Sequence, residues 1–349
     1  MYRTSIFQII LTILITSQSF AQHGGTTTYV FLNLPVTARE AALGGGLITV
    51  NDDDLGLCRQ NPSLLTSTTN NHFSLNGVSY FAGIGYGYAG FGHSFAKYGN
   101  FDAGIQFMSY GDFLSADNTG AQTGTFTASE YAMHIGWGRA LDTNFTIGAN
   151  VKYIYSALEE FRSSGLAIDL ATSYTNRTRE ICASVVVKNV GKQLTTYTDG
   201  NPEPLPFEIE AGVTKKMKHT PLRLCLTLTH LEKYDLSYVD PANSTIVDPV
   251  SGDTTQVTIG TMDKLMRHVI LGTEFMLSKS FHIRFGYNYD RRRELRIDTR
   301  PAMAGFSFGF GLRISKLNLS FARSIYALAG ASSTFSLTTN LTEYWAHKK

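Results

Sequence analysis

Shortages in the sequence exclude whole classes of protein. After its first residues, no stretch reaches the roughly eighteen consecutive apolar residues that a membrane-spanning helix needs. The mean hydropathy of −0.07 is also too polar for a bundle of membrane helices. Charged residues make up only 17% of the 349 residues, below the quarter or so of an ordinary soluble domain. A helical membrane protein is therefore excluded, and a typical soluble domain is disfavoured.

Cysteines and metal-binding spacings are scarce as well. Cys58, Cys182 and Cys225 are an odd number, which argues against a disulfide framework. The sequence contains no His-x-x-x-His or Cys-x-x-Cys, so we predict neither a bound metal nor a cofactor. The net charge of +2 gives no reason to expect a nucleic-acid partner.

Residues 1–21 have the features of a secretory signal peptide. Arg3 supplies the positive start, and a short apolar core runs from Ile6 to Ile15. Ser19-Phe20-Ala21 matches a small-x-small cleavage site. We therefore expect cleavage before Gln22 and export of the mature chain.

Glycine and aromatic residues are plentiful, and from residue 72 onward apolar residues alternate with small or polar ones. The sequence has 32 Gly, 18 Tyr and 22 Phe. In the stretch 305–314, one parity is apolar: Phe306, Phe308, Phe310, Leu312 and Ile314. Because a strand repeats every two residues, these five side chains share one face. Such a stretch predicts a strand with one apolar face.

The same stretch contains Gly-x-Ser-x-Gly around Ser307, a motif that marks the nucleophile of some hydrolases. That motif requires a strand, a sharp turn and then a helix. Here the alternation continues without a break to Ile314. The Gly-x-Gly-x-x-Gly pattern at 85–90 likewise continues an alternating strand, so a nucleotide site is not expected. We interpret Ser307 as an inward-facing strand residue and predict no catalytic residues and no enzymatic activity.

Fourteen such segments are predicted, each long enough to cross a membrane. Tilted strands need nine to eleven residues for this, and single-chain bacterial outer-membrane barrels have an even number of strands. The segments are 72–80, 84–95, 100–111, 125–140, 144–157, 164–176, 179–190, 207–217, 221–231, 266–278, 280–292, 301–315, 317–327 and 331–343. We therefore predict an all-β fold, a 14-stranded antiparallel transmembrane β-barrel over residues 72–349.

Connection lengths support a membrane location. Short turns at 141–143, 177–178, 218–220, Lys279 and Lys316 alternate with longer loops at 112–124, 158–163, 191–206, 232–265 and 293–300. Outer-membrane barrels have short periplasmic turns and long external loops, whereas a soluble sandwich has no reason to sort its loops in this way. The predicted location is the bacterial outer membrane.

The charged residues of the strands are predicted to point into the barrel. An Arg or Lys at the lipid midplane costs about 2–4 kcal/mol, so charges are expected on the inner face, as mutual ion pairs. The polar parity carries Lys152, Asp169, Glu210, Glu274, Arg284 and Arg313. Cys182 and Cys225 fall on this parity of strands two places apart, about 9–10 Å, which is too far for a disulfide.

Residues 22–71 precede the first strand and predict a short N-terminal helical plug. The sequence TAREAALGGG has a helical start and a glycine stop at 44–46. A second short helix follows in NDDDLGLCRQNPSLL, with Asn51 or Asp52 as its cap and an end at Asn61-Pro62. The aspartates at 52–54 have two interpretations, helix capping or a cation site, and capping is preferred because no further acidic residue lies at calcium-loop spacing.

A basic run, DRRRELRIDTR at 290–300, falls in a predicted external loop. It has two interpretations of equal weight. One is a solvated loop tip, and the other is a contact with acidic lipopolysaccharide or an acidic partner.

The segment 29–65 resembles a known family. It contains Phe31-Leu32-Asn33-Leu34-Pro35, then Ala38-Arg39, Ala41-Ala42-Leu43-Gly44-Gly45 and Asn61-Pro62. This segment is similar to that of the PorQ family, outer-membrane components of the type IX secretion system. The alanine and glycine stretch and the Asn-Pro step are also shared by the wider PorV and FadL-like barrels.

The resemblance implies a non-enzymatic docking role. Proteins of that family belong to an attachment complex with PorU, PorV and PorZ, so a barrel of this kind would tether a PorZ-like surface protein and support cargo processing and surface anchoring. Loops 112–124, 191–206 and 232–265 are the expected docking surface, and outer-membrane lipids, lipopolysaccharide among them, are expected contacts. The alternative is a FadL-like transporter or pore for hydrophobic small molecules, which predicts a continuous apolar path inside the lumen and a lateral gap in the wall. The charges on the polar parity weakly disfavour such a path. A third hypothesis, an outer-membrane hydrolase, lacks a Ser/His/acid set.

Overall fold

The structure is a computed structural model, and it describes residues 27–238, 245–247, 254–256, 258–295, 303–327 and 330–345. The predicted signal peptide at 1–21 lies outside these residues. Within the described chain, fourteen antiparallel strands form one closed barrel, in which the last strand pairs with the first. No described helix is long and apolar enough to cross a membrane.

The barrel strands agree closely with the fourteen predicted segments. They are β1 His72–Ser79, β2 Gly85–Phe95, β3 Gly99–Ala116, β4 Gln122–Ala140, β5 Phe145–Leu158, β6 Phe161–Asn176, β7 Ile181–Thr195, β8 Glu208–Lys216, β9 Leu222–Leu228, β12 Val269–Met276, β13 Phe281–Asn288, β14 Phe306–Ile314, β15 Leu317–Ala327 and β16 Gly330–Asn340. Two further strands, β10 Thr245–Val247 and β11 Thr254–Gln256, form a separate hairpin. The prediction of a 14-stranded antiparallel barrel is confirmed.

The two ends of the barrel differ in their connections. At one end, here called the turn end, the connections 96–98, 141–144, 177–180, 217–221, 277–280 and 315–316 are all short. At the other, the loop end, lie the long connections 196–207, 229–268 and 289–305. The predicted sorting of loops is therefore present, although two of the predicted long loops are wrong.

Those two loops, 112–124 and 158–163, are mostly strand. β3 extends to Ala116 and β4 begins at Gln122, while β5 and β6 leave only residues 159–160 between them. Likewise the predicted loop 191–206 begins as strand, because β7 continues to Thr195. Residues 122–124 were predicted as loop, but they pair with Ser115 and Ala116 of β3, and this neighbouring strand supplies the hydrogen-bond partners that a strand needs.

Helices replace strand at the ends of three predicted segments. Thr261–Arg267 is helical, so the segment predicted at 266–278 begins as strand only at Val269. Tyr289–Leu295 is helical, which shortens the segment predicted at 280–292. Residues Thr342–Trp345 form a helical turn beyond β16. Arginine, glutamate and leucine favour helix where no strand lies alongside to complete a sheet.

The barrel wall has an apolar outer face and a polar inner face. Phe306, Phe308 and Phe310 are exposed, whereas Ser307 between them is buried and donates to the Ser324 hydroxyl at 3.1 Å. On the inner face, Lys152 pairs with Asp169 at 2.6 Å. The inward placement of the charges is therefore confirmed, with Arg313 as a partial exception, since it lies at the turn end, 3.6 Å from Glu343.

The cysteines also lie as predicted. Cys182 on β7 is level with Thr214 on β8, which is level with Cys225 on β9. One strand therefore separates the two thiols, and all three cysteines of the chain are free and buried.

The segment before β1 lies inside the barrel and is almost wholly buried. It contains helices Ala38–Ala42 and Leu55–Cys58 and 3₁₀ turns Val30–Asn33, Pro62–Leu64 and Ser67–Thr69. Both predicted helices are present, and Gly44 and Gly45 end the first with φ of 101° and 100°. The predicted cap of the second helix is wrong, because Asp54, not Asn51 or Asp52, accepts the backbone N–H of Gly56.

Candidate functional site

The lumen and the N-terminal segment inside it form the candidate site. Glycines on the inner wall let the segment approach the strands closely. A Cβ on Gly148 would lie 2.3 Å from the carbonyl carbon of Pro62, and one on Gly286 would lie 2.2 Å from the nitrogen of Gly44. Real side chains do not tolerate such distances. The absence of side chains at these two positions therefore creates the contact surface for the segment.

The Asn61-Pro62 step is fixed to the wall by hydrogen bonds. The Asn61 amide donates to the carbonyl of Ile48 at 2.6 Å and to the Ser173 hydroxyl of β6 at 3.2 Å. Its carbonyl oxygen accepts the backbone N–H of Ser63 at 3.0 Å. The Ser63 and Ser173 hydroxyls are 2.5 Å apart. One asparagine thus caps the following turn and binds the segment to the barrel.

A buried ion-pair cluster joins the segment to the wall near the turn end. The carboxylate of Glu274, on β12, is 3.0 Å from Arg39 of the segment, 2.7 Å from Arg284 of β13 and 2.5 Å from Arg223 of β9. Arg39 also contacts Asp52 at 2.8 Å and Asp54 at 3.5 Å. A carboxylate shared by three guanidinium groups holds helix and wall together.

These ion pairs also help to decide whether the aspartates at 52–54 cap a helix or form a cation site. Asp52 and Asp54 are engaged with Arg39, and Asp54 also caps a helix. Within the described residues, no group of three or more His, Cys, Asp or Glu side chains is arranged to hold a metal ion. Capping and ion pairing therefore account for Asp52 and Asp54.

Further polar contacts fill the middle of the lumen. Lys188 pairs with Glu210 at 2.7 Å, and Lys152 donates to the side-chain oxygen of Asn189 at 3.0 Å. Asn189 in turn donates to the side chain of Asn33 at 2.7 Å and to the carbonyl of Pro206 at 2.9 Å. Asn189 therefore links the wall, the segment and the loop that follows β7.

Toward the loop end, apolar side chains occupy part of the lumen, beside buried polar residues such as Gln106, Glu130 and Ser156. An apolar cluster lies there, formed by Tyr29, Phe31, Leu32 and Val36 of the segment, by Val78, Tyr86, Tyr88, Met108, Ala132, Ile154 and Ala167 of the wall, and by Leu205. Tyr80, Ile84, Tyr110 and Tyr197 pack against it. Four of its twelve buried members thus come from residues 28–36, seven from the wall, and Leu205 from the loop after β7.

The residues 28–36, here called the entry segment, are held by few direct bonds to the loop end. The N–H of Thr28 donates to the carbonyl of Pro204 at 3.0 Å, and the Tyr29 hydroxyl bonds to Ser163. From below, the buried Arg59 guanidinium donates to the carbonyls of Leu32 and Leu34, both at 3.2 Å. The entry segment therefore lies at the loop end of the lumen, within the apolar cluster.

The hairpin of β3 and β4 continues at the loop end as far as Ala116 and Gln122. Beyond the register shift between Ser109 and Asp112, the ladder continues from Asp112 to Ala116. Phe113 and Phe126 stack there with their centroids 5.2 Å apart, and Leu114 is 65% exposed. This apolar surface lies in the region that the sequence predicted to be a docking loop.

A histidine at the loop end carries a shifted pKa. His230 lies just beyond β9, with Nδ1 3.2 Å from Glu232 and Nε2 3.5 Å from Glu208. Burial lowers its pKa, but the hydrogen bond with Glu232 and the charge of Glu208 outweigh burial and raise the pKa to about 9. The imidazole is therefore protonated at neutral pH.

The basic run at 290–300 is partly neutralised within the chain. Asp290 pairs with Arg267 at 3.1 Å, Arg293 pairs with Asp263 at 2.8 Å, and Arg291 lies over the ring of Tyr326. The remainder, 296–300, lies outside the described residues. The described part therefore has intramolecular contacts and is neither a bare loop tip nor a uniformly basic patch.

Comparison with solved structures identifies proteins that share this fold. No protein-family model and no curated protein matches the chain. The toluene transporter TbuX of Ralstonia pickettii matches with a TM-score of 0.53 at 13% identity, covering 89% of this chain and 100% of its own. TodX, the toluene transporter of Pseudomonas putida, matches with a TM-score of 0.51 at 12% identity over 87% and 96%. CymD, a monoaromatic hydrocarbon channel, gives 0.51 at 11% identity over 88% and 98%.

This chain has the fold of those transporter and channel barrels. At such identities the likeness shows the fold alone, and that fold is one of bacterial outer-membrane proteins. The architecture implied by the resemblance to FadL-like barrels is thereby confirmed. Ser307 lies within β14, with strand continuing on both sides of it, so the sharp turn and helix of the hydrolase motif do not follow it.

Proposed function

We propose that the protein is an outer-membrane channel for hydrophobic small molecules, closed in this structure by its own entry segment. The observation that carries the proposal is the apolar cluster inside the loop end of the lumen. A water-filled pore has a polar interior, so an interior lined by tyrosine, leucine, valine and methionine favours an apolar solute. The fold, shared with toluene transporters, supports the same conclusion.

The contacts of the cluster define what must move. The entry segment contributes Tyr29, Phe31, Leu32 and Val36, and these side chains fill the space that a solute would occupy. When the segment moves away, the apolar wall residues become a binding surface facing the loop end. The hydrogen bonds that must break include those from Thr28 to Pro204, from Gln106 to the carbonyl of Phe31 and from Asn189 to Asn33.

The Asn33–Asn189 contact offers a direct test. In the variant Asn33→Cys/Asn189→Cys, a short reagent that reacts with two thiols joins the entry segment to the wall through reducible bonds. The assay follows entry of a fluorescent apolar aromatic amine into cells whose lipopolysaccharide slows its diffusion. We expect the unmodified chain to accelerate entry, crosslinking to slow it to the rate of cells without the protein, and reduction to restore it.

The two single-cysteine variants are the matched controls, because they undergo the same chemistry without a link. The natural chain, treated with the same reagent, controls for reaction at its three buried cysteines. Entry no faster than in cells lacking the protein would overturn the channel proposal. Fast entry through the crosslinked barrel would instead show that the entry segment is not the barrier.

A second candidate function is docking of a surface partner, as the resemblance to the PorQ family implies. The observation that favours it is the β3–β4 hairpin, whose Phe113, Leu114 and stacked Phe126 form an apolar surface beyond the wall. Together with the connections 196–207 and 229–268, it gives a partner such as a PorZ-like protein a protruding surface. The sealed lumen, tied by Arg39 to Glu274, also suits a rigid platform.

The docking hypothesis predicts a separable phenotype. The variant Phe113→Ser/Leu114→Ser should release a PorZ-like partner and impair surface attachment of type IX cargo, while entry of the aromatic probe stays unchanged. The matched control is Phe310→Ser, which removes an equally exposed phenylalanine from the middle of β14. Normal processing and attachment of cargo in a strain lacking the gene would exclude this role.

A further inference from the structure

An open apolar groove of about 380 Å³ lies on the outer surface of the barrel, across β4, β5, β6 and β7. Its walls include Trp137, Leu170 and Val187, and its floor includes Ala149. The register places these four side by side, since Trp137 is level with Ala149, Ala149 with Leu170, and Val187 with Leu170. The methyl group of Ala149 is smaller than the three side chains around it, and the difference in size forms the groove.

The indole of Trp137 is fixed in place. Its Nε1–H donates to the carbonyl of Tyr98 in the adjoining turn at 2.9 Å. The ring therefore forms a rigid wall of the groove. Tyr98 is exposed and lies at the turn end, as do Phe145 and Tyr174, whose rings are 5.0 Å apart. Aromatic side chains of this kind mark the membrane interface in outer-membrane barrels.

A cation lies beside the groove on the same face. Arg139 is level with Ile147, a groove residue, so the two side chains lie about 5 Å apart at Cβ. Arg139 is exposed and has no hydrogen bond or ion pair to any residue that the structure describes. Asp142, the acid nearest in sequence, accepts the N–H groups of Asn144 and Phe145 instead. The guanidinium is thus available to an external anion.

We propose that this groove binds one phospholipid, with an acyl chain against Ala149 and Trp137 and the phosphate on Arg139. The proposal rests on the outer-membrane location of the proposed function, but on neither the channel nor the docking role. An acyl chain matches the apolar lining, and arginine binds phosphate oxygens through two parallel N–H groups. On β4, Arg139 lies two residues nearer the turn end than Trp137. Its aliphatic stem can therefore lie along the wall while its guanidinium reaches the lipid headgroups.

The tryptophan content of the chain makes the site measurable. The sequence has two tryptophans, so Trp345→Phe leaves Trp137 as the single tryptophan. The full chain is reconstituted into phosphatidylcholine vesicles that contain a small fraction of either dibrominated phosphatidylglycerol or dibrominated phosphatidylcholine. Bromine quenches tryptophan only at contact, so the difference between the two lipids reports preferential occupancy by the anionic one.

We expect quenching by the brominated phosphatidylglycerol to indicate about fivefold enrichment at Trp137, the factor corresponding to about 1 kcal/mol for one basic residue at an anionic lipid. Arg139→Gln should remove the enrichment, and Ala149→Leu should reduce quenching by both lipids by filling the groove. Arg323→Gln is the matched control, because Arg323 is another exposed arginine, level with Phe308 on the outer face of a distant strand, bonded to Ser333. It should leave the enrichment intact.

Each outcome decides a separate point. Equal quenching by the two lipids, or enrichment that persists in Arg139→Gln, would overturn the phospholipid site while leaving the channel and docking proposals untouched. Absence of quenching by either lipid would overturn the membrane location of the wall, and with it both the site and the proposed function. Heat-dependent mobility in detergent gels confirms that each variant compared is a folded barrel.

Discussion

The Glu274 carboxylate is the one anion shared by three buried or nearly buried arginines, so its removal should have a large effect. In Glu274→Gln, Arg39, Arg223 and Arg284 keep their positive charges, and within the cluster only Asp52 and Asp54 remain to balance them. The Glu274 side chain is 0% exposed, so water cannot replace the lost charge. Removing one partner of a buried ion pair costs about 3–5 kcal/mol.

Two measurements detect the effect of losing the Glu274 charge. Urea unfolding in lipid vesicles should show the free energy of unfolding of Glu274→Gln lowered by about 3–5 kcal/mol. Limited proteolysis should show faster cleavage at Arg39, because the helix Ala38–Ala42 loses its main tie to the wall. The matched control is Glu343→Gln, whose partner Arg313 is exposed and 3.6 Å away, with an expected cost of at most about 1 kcal/mol.

A double variant separates charge imbalance from loss of packing. Arg39→Gln in the Glu274→Gln background removes one of the unbalanced charges, so part of the stability should return. A Glu274→Gln chain within about 0.5 kcal/mol of the natural one, with its N-terminal segment still protected, would refute the view that this cluster holds the segment.

Three further results are expected. Gly148→Ala places a methyl group against Pro62 and should lower the free energy of unfolding by about 1–3 kcal/mol, whereas Gly77→Ala, which faces open space, should be neutral or slightly stabilising in the same urea assay; equal effects would contradict the close approach. Titration of His230 by NMR should give a pKa of about 9, moving toward 6.5 in Glu232→Gln. Because the pKa of His230 is raised in the folded state, the stabilisation from this imidazolium is complete below about pH 6.5 and is lost as the pH rises through about 9. A pKa that stays at about 9 in Glu232→Gln would show that Glu232 does not cause the shift. Ser307→Ala should cost only about 0.5–1.5 kcal/mol, the contribution of its bond to Ser324, and any loss of an esterase activity would argue against its structural role.

The barrel was predictable because its signal is local. Each strand carries its own period of two, so Phe306 to Ile314 reveals both the strand and its outward face without knowledge of any neighbour. The same parity placed Lys152 and Asp169 inside. Strand ends were less predictable, since residues 122–124, which were predicted as loop, become strand where β3 lies alongside.

The candidate site was largely hidden in the sequence for a different reason. Arg39 and Glu274 are separated by more than half of the chain, and only the closed barrel brings them together. The segment containing Arg39 has no strand period, so its buried faces leave no repeating pattern. The apolar cluster was missed because Tyr86 and Met108 lie on the inner parity, which the charged residues had marked as polar throughout. The glycines on the inner parity, such as Gly148 and Gly286, were the feature of the sequence from which close contact with the segment could have been predicted.

The pairing of β1 with β16 sets an order for biogenesis. The N-terminal segment emerges first during export, yet the strands that hold the helix Ala38–Ala42 are β13 to β16, which emerge last. That helix therefore cannot dock until nearly the whole polypeptide has been translocated. The contacts that hold the N-terminal segment inside the barrel are therefore completed only when the last four strands are present.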